Sequence, residues 1–204
     1  MDFDETFWAA VAAIAAVVAV GLSVWATLQA KAAARASERT AAEVARIEQQ
    51  RWHRELTPEL DFRLVPKGSD HWLLTVELTG PAGLDRLDRV TLTVRDEAGV
   101  DHTPRTPDIT PEEVEAVIWG PVRFQPRVDH VREPGREAVL ESVDRGEPAV
   151  RAVDATVPPR WIDNLQDWQR RNDRLPLRLR AVCEHADHDQ PWIIVTEIPV
   201  ERLA

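Results

Sequence analysis

The sequence predicts a mainly β protein: an antiparallel β-sandwich, loosely immunoglobulin-like, with one short added helix, preceded by an N-terminal transmembrane helix and a helical stalk. Three observations carry this. Phe7 to Leu28 is a run of 22 residues without a charge. Residues 29–56 hold no Gly or Pro and are rich in Ala, Glu, Arg and Gln, which are good helix formers. Beyond Pro58 the apolar period changes from 3.6 to 2, the signature of strands with one buried face.

The first element is a tail, residues 1–6, followed by the apolar run 7–28. As a helix this run would be about 33 Å long at 1.5 Å per residue, enough to cross a hydrocarbon core of about 30 Å. Trp8 and Trp25 lie near its ends, where amphipathic rings settle at the water–lipid boundary. The flanks give an orientation. Asp2, Asp4 and Glu5 precede the run, and Lys31, Arg35 and Arg39 follow it. Basic residues stay on the cytoplasmic side, so a single-pass protein of the inner membrane is expected, with its C-terminal domain cytoplasmic. The acidic start argues against a cleavable signal peptide. Small residues recur four apart (Ala9 and Ala13, Ala12 and Ala16, Ala15 and Ala19), a spacing that lets helices approach closely and form a homodimer.

Residues 29–56 form the juxtamembrane stalk. Glu43 with Arg46, and Glu48 with Arg51, sit three apart and support a helix by a few tenths of a kcal/mol each. Ser37, Ala41, Val44 and Ile47 share a seam, which offers a second route to a homodimer, but it is too short for a coiled coil. Trp52 and Leu56 are expected to dock on the domain that follows. Thr57-Pro58 ends the helix, because a residue before Pro avoids the α region.

The domain spans residues 57–204, long enough for one core of ordinary size. Leu60, Phe62 and Leu64 alternate with Asp61 and Arg63. Trp72, Leu74, Val76 and Leu78 alternate with Leu73, Thr75 and Glu77. Val90, Leu92 and Val94 alternate with Thr91 and Thr93. Turn chemistry separates these runs at Lys67–Asp70 and Gly80–Gly83. Residues 96–115 read as an acidic loop, in which Thr110-Pro111-Glu112-Glu113 has capping-box spacing with Pro at N1. Ala116–Phe124 reads as a strand broken at Gly120-Pro121, and residues 125–150 as a polar loop. Val150–Val157 is a further strand. Arg160 to Arg171 is an amphipathic helix with Trp161, Leu165 and Trp168 as its buried stripe. Leu177, Leu179, Ala181 and Cys183 mark an inward face, as do Trp192, Ile194 and Ile198, with Ala186–Pro191 as the hairpin loop between them.

Charge excludes some partners. The formal net charge is −10, made of −3 over residues 1–28, +2 over 29–56 and −9 over the domain. Nucleic acid is not an expected partner of so acidic a domain, because phosphate contacts dominate that affinity. Cys183 is the one cysteine, so no intrachain disulfide forms.

The stretches Leu73–Asp96, Ala116–Phe124 and Leu177–Val200 resemble parts of actinobacterial single-pass membrane proteins of uncharacterised function. The resemblance covers most of residues 57–200. It implies a membrane-tethered, β-sandwich-like domain and carries no activity, cofactor or site residue with it.

Candidate chemistry concentrates at Cys183-Glu184-His185-Ala186-Asp187-His188-Asp189. Cys183, His185 and His188 have the residue types of a zinc site, although a distant fourth ligand would be needed. The same cluster is the basis for an alternative, a metal-dependent or cysteine-dependent enzyme. Against it, alternation turns Cys183 inward as a small hydrophobe. No serine stands in a nucleophile elbow, and no phosphate loop, dinucleotide fingerprint or HExxH helix is present. No catalytic residue and no cofactor are therefore expected. Of the six tryptophans beyond the apolar run, Trp119, beside Gly120-Pro121, is the candidate partner surface. The expected function is a membrane-anchored protein-interaction or scaffold module with an unknown protein partner. An envelope-facing binding module is the alternative if the topology is reversed.

Overall fold

The computed structural model describes residues 25, 29, 31, 35, 37–97, 108–172 and 174–201. The chain divides into two compact units, Met1–Arg54 and Glu55–Ala204. The apolar run 7–28, including Trp8, lies outside the described residues except for Trp25, which is helical and exposed. Among the described residues no helix is long and apolar enough to cross a membrane. Residues 37–55 are helical (α1), and Val44, Ile47 and Trp52 are exposed on it.

The second unit is mainly β. Its elements are β1 (Glu59–Pro66), β2 (His71–Gly80), β3 (Arg86–Val94), α2 (Pro111–Ala116), β4 (Val122–Phe124), β5 (Glu137–Asp144), β6 (Ala149–Ala155), α3 (Leu165–Asn172), β7 (Leu177–His185) and β8 (His188–Ile198). They form two four-stranded antiparallel sheets, ordered β1-β2-β6-β4 and β5-β3-β7-β8. Among the described residues only β1–β2 and β7–β8 are hairpins. The other connections carry the chain from one sheet to the other.

The alternation read in the sequence sets the inner faces. Trp72, Leu74, Val76 and Leu78 of one sheet share a single core with Val90, Leu92, Leu177, Leu179 and Cys183 of the other. Fully burying each of these larger side chains contributes about 1.5–3 kcal/mol. Trp72 is 1 % exposed, and its indole N–H donates to the Glu201 carbonyl at 2.8 Å, so its polar edge is satisfied as it fills the core. Leu56 packs against this core as well.

Four boundaries differ from the sequence expectation, each for a local reason. Of Ala116–Phe124 only Val122–Phe124 is a strand. The capping box forms, with Thr110 accepting from the Glu113 N–H and Glu113 accepting from the Thr110 N–H, and the helix it starts runs through Ala116. The polar stretch 125–150 contains a whole strand, β5. Its alternation is broken at Ser142, which has φ 65°, so the buried positions run Ala138, Leu140, Val143. Opposite that kink β3 slips in the same way, from Leu87 to Val90, which hides its first residues from a period-2 pattern. Helix α3 starts at Leu165 and not at Arg160. Asn164 caps it by accepting from the Asp167 N–H at 3.1 Å. Its buried side chains are therefore Trp168 and Asn172, while Leu165 of the expected stripe is 55 % exposed. Finally, strand pairing continues to His185 and His188, leaving Ala186-Asp187 alone in the β7–β8 turn.

Candidate functional site

The chemistry-rich tip of the β7–β8 hairpin resolves into a structural corner. Cys183 faces the core at 0 % exposure, with its backbone opposite Trp192. Burial pushes its thiol up to about 12, so it is a protonated apolar side chain at neutral pH. His185 accepts the Asp187 N–H on Nδ1 at 3.1 Å, which places any neutral-form proton on Nε2. The His188 ring meets His185 and Trp192 edge-on, with centroids 5.4 and 4.9 Å apart. Asp88 of β3 accepts the Ala186 N–H at 2.6 Å, and this bond holds its carboxyl below the usual range. The two histidines thus pack at the turn, and Cys183 lies in the core. Among the described residues no group of three or more His, Cys, Asp and Glu side chains is placed to hold a metal ion. A hollow of about 400 Å³ does open here, lined by Asp88, Glu184, His185, His188 and Asp189.

Trp119 is at the other end of β7. Two long crossover connections meet there: the one from β3 to β4, which contains α2, and the one from β6 to β7, which contains α3. Trp119 is half-buried, with its ring 5.4 Å from that of Trp168 on α3. Beside it, Thr156 donates to the Gly120 carbonyl at 2.6 Å and accepts from the Asn172 amide at 3.2 Å. These are the buried polar side chains among the described residues, and they satisfy one another. A third brace comes from the segment just before β5. Arg136 donates to both oxygens of Asp96 at 3.0 Å and to the Val117 carbonyl at 2.7 Å. Asp96 in turn accepts the Trp119 N–H at 2.8 Å. The Trp119 backbone is therefore clamped by a charged pair, and its ring by a second aromatic.

This clamping leaves a cleft of about 230 Å³, lined by Arg95, Glu97, Trp119, Gly120, Leu175, Pro176, Arg178 and Glu197. Leu175 also borders a second hollow of about 480 Å³, shared with Arg170, Arg171 and Arg174. The acids here are committed: Glu97 pairs with Arg171 at 2.6 Å and Glu197 with Arg178 at 2.7 Å.

Of this site the sequence singled out Trp119 as a surface and Trp168 as part of a buried stripe. Arg136 and Asp96 lie 40 residues apart in parts read as loops, and nothing local joins them. The arginines did leave a signal: Arg170, Arg171, Arg174, Arg178 and Arg180 fall within eleven residues of an acidic chain. Trp25 is placed in a helix, while Trp8 lies outside the described residues. A scan against protein-family models and a search of curated proteins each found no match to this chain.

Proposed function

We propose that the protein is a membrane-anchored protein-interaction module: a single apolar span, a helical stalk, and a cytoplasmic, loosely immunoglobulin-like head that binds through the Trp119 cleft. The observation that carries the reading is the half-exposed Trp119, held on the wall of a cleft by Arg136, Asp96 and Trp168. A partly exposed aromatic that is rigidly backed loses little freedom on binding, which is how interface anchors work. The strand order supports the architecture. Strands β1, β2 and β6 stand together on one sheet and β3, β7 and β8 on the other, as A, B, E and C, F, G do in that fold. The plan is varied, because β4 at the fourth position precedes β5. The uncharged run 7–28, with basic residues after it, supports the span and its orientation. The exposed Val44 and Ile47 give the stalk a seam for self-association.

The test is a photo-crosslinking residue placed singly at position 119 or 187 of the full chain in its native cells. Strand β7 separates these positions by roughly 27 Å at about 3.3 Å per residue. Adducts from position 119, lost in the Arg95→Glu background and absent from position 187, are expected. No adduct at 119, or the same adducts at both positions, would remove the reading. A reporter fused after Ala204, active only outside the cytoplasm, should stay silent.

A further inference from the structure

We infer that the Trp119 cleft takes an acidic peptide segment carrying apolar side chains; this deepens the proposed function and rests on it. Five arginines border the cleft and its adjoining hollow: Arg95, Arg170, Arg171, Arg174 and Arg178. Three of them are neutralised, Arg170 by Asp167, Arg171 by Glu97 and Arg178 by Glu197. Among the described residues no ion pair or side-chain hydrogen bond engages Arg95 or Arg174. Arg180 is in the same condition. It lies on the outer face of β7, where Leu179 and Ala181 point inward, and it is paired across the sheet with Thr93 and Val195. Among the described residues, Arg95, Arg174 and Arg180 thus stand without a paired carboxylate, on a domain whose net charge is −9.

That contrast selects the ligand. An acidic chain is repelled by the rest of the surface and drawn to this end, which favours both encounter and register. The groups are all arginines, whose planar fork accepts a carboxylate through two parallel bonds. Apolar surface continues from the cleft. Leu175 and Pro176 line it, and Ile193 and Val195 stand 57 % and 55 % exposed on the outer face that Arg180 shares. Carboxylates on the arginines and apolar side chains on Leu175, Ile193 and Val195 describe a peptide. A nucleic acid needs a longer run of cations against its phosphates, and a lipid surface would bring its charge against the acidic remainder of the domain.

The experiment uses the full chain in nanodiscs of zwitterionic lipid and a fluorescein-labelled Glu- and Leu-containing peptide, read by anisotropy. The expected result is saturable binding that weakens at least about tenfold when every Glu is replaced by Gln. It should also weaken several-fold as salt rises from about 50 mM to about 0.5 M. Arg95→Glu with Arg174→Glu should abolish binding while leaving the melting temperature unchanged, since both side chains are exposed. His185→Ala should change nothing. Equal affinity for the Gln peptide, or binding indifferent to the arginine variants, overturns the inference. So does stronger, Arg95-dependent binding of a single-stranded oligonucleotide or of anionic vesicles. If no peptide binds while Arg95-dependent crosslinks from position 119 persist, the peptide inference falls and the binding module stands. Loss of both removes both.

Discussion

Replacing Arg136 by Met should loosen the cleft before it loosens the sandwich. The guanidinium makes two bonds to Asp96 at 3.0 Å and one to Val117 at 2.7 Å, with longer ones to Glu115 and Val94 at 3.3 and 3.4 Å. Hydrogen bonds to charged groups contribute about 1.5–3 kcal/mol each when buried. Here the two side chains are 27 % and 37 % exposed, so water replaces part of what is lost and the exposed-pair range applies to the Asp96 component. The Val117 bond is the shortest of the set. Together these give a loss of about 2–3 kcal/mol. At about 2–4 °C per kcal/mol for a chain of this size, the melting temperature should fall by roughly 4–12 °C. Arg136→Lys keeps the charge but not the fork and should recover about half. Tryptophan fluorescence during thermal unfolding measures the stability. Amide exchange at Trp119, whose N–H rests on Asp96, should accelerate in the Met variant well before exchange in β2 or β7 does. A stability loss below about 0.5 kcal/mol, or exchange that rises evenly across the domain, would refute the clamp.

Leu140→Ala removes a side chain that is 1 % exposed and should cost about 2–5 kcal/mol. Leu165→Ala, on the solvent side of α3, should stay within about 0.5 kcal/mol, and the pair of melting curves checks the corrected face of that helix. The Glu113 carboxyl is held below its ordinary 4.5 by the Thr110 N–H and then by Arg160, so its contribution is present above 4.5 and lost as pH falls through the lowered value. The melting difference between wild type and Glu113→Gln should therefore be full at neutral pH and vanish in strong acid. A difference that grows on acidification would contradict the cap. Cys183, buried with its thiol pushed up to about 12, should resist a thiol reagent at neutral pH until the domain unfolds. Rapid labelling of the native chain would show that its core placement is wrong.

The sequence was most legible where one face of a strand is buried along its whole length. Trp72–Leu78 and Leu177–Cys183 show unbroken alternation, and both are core strands. It was least legible where two elements are irregular together. The matched kinks at Ser142 and between Leu87 and Val90 make β5 look like a loop and hide the first residues of β3, and only their pairing with each other accounts for the shift. Helix α2 was visible because a capping box is a local device. The buried face of α3 was read in part, Trp168 but not Asn172, because its cap at Asn164 starts the helix five residues later than the Pro158-Pro159 signal suggested. The cleft followed the same division. Trp119 stands out beside Gly120-Pro121, but the residues that brace it come from the segment before β5, from the segment after β3 and from α3, and only the fold brings them together.

In the proposed function the working surface is the Trp119 end of the domain and not the histidine tip. Indole and arginine side-chain N–H spectra of the full chain in zwitterionic nanodiscs, recorded while the acidic peptide is titrated in, test this directly. The predicted result is a progressive shift of the Trp119 indole and of the Arg95 and Arg174 Nε–H signals, with the Trp192 indole beneath His188 unmoved. Shifts at Trp192 with Trp119 unchanged, or no shift anywhere, would contradict it.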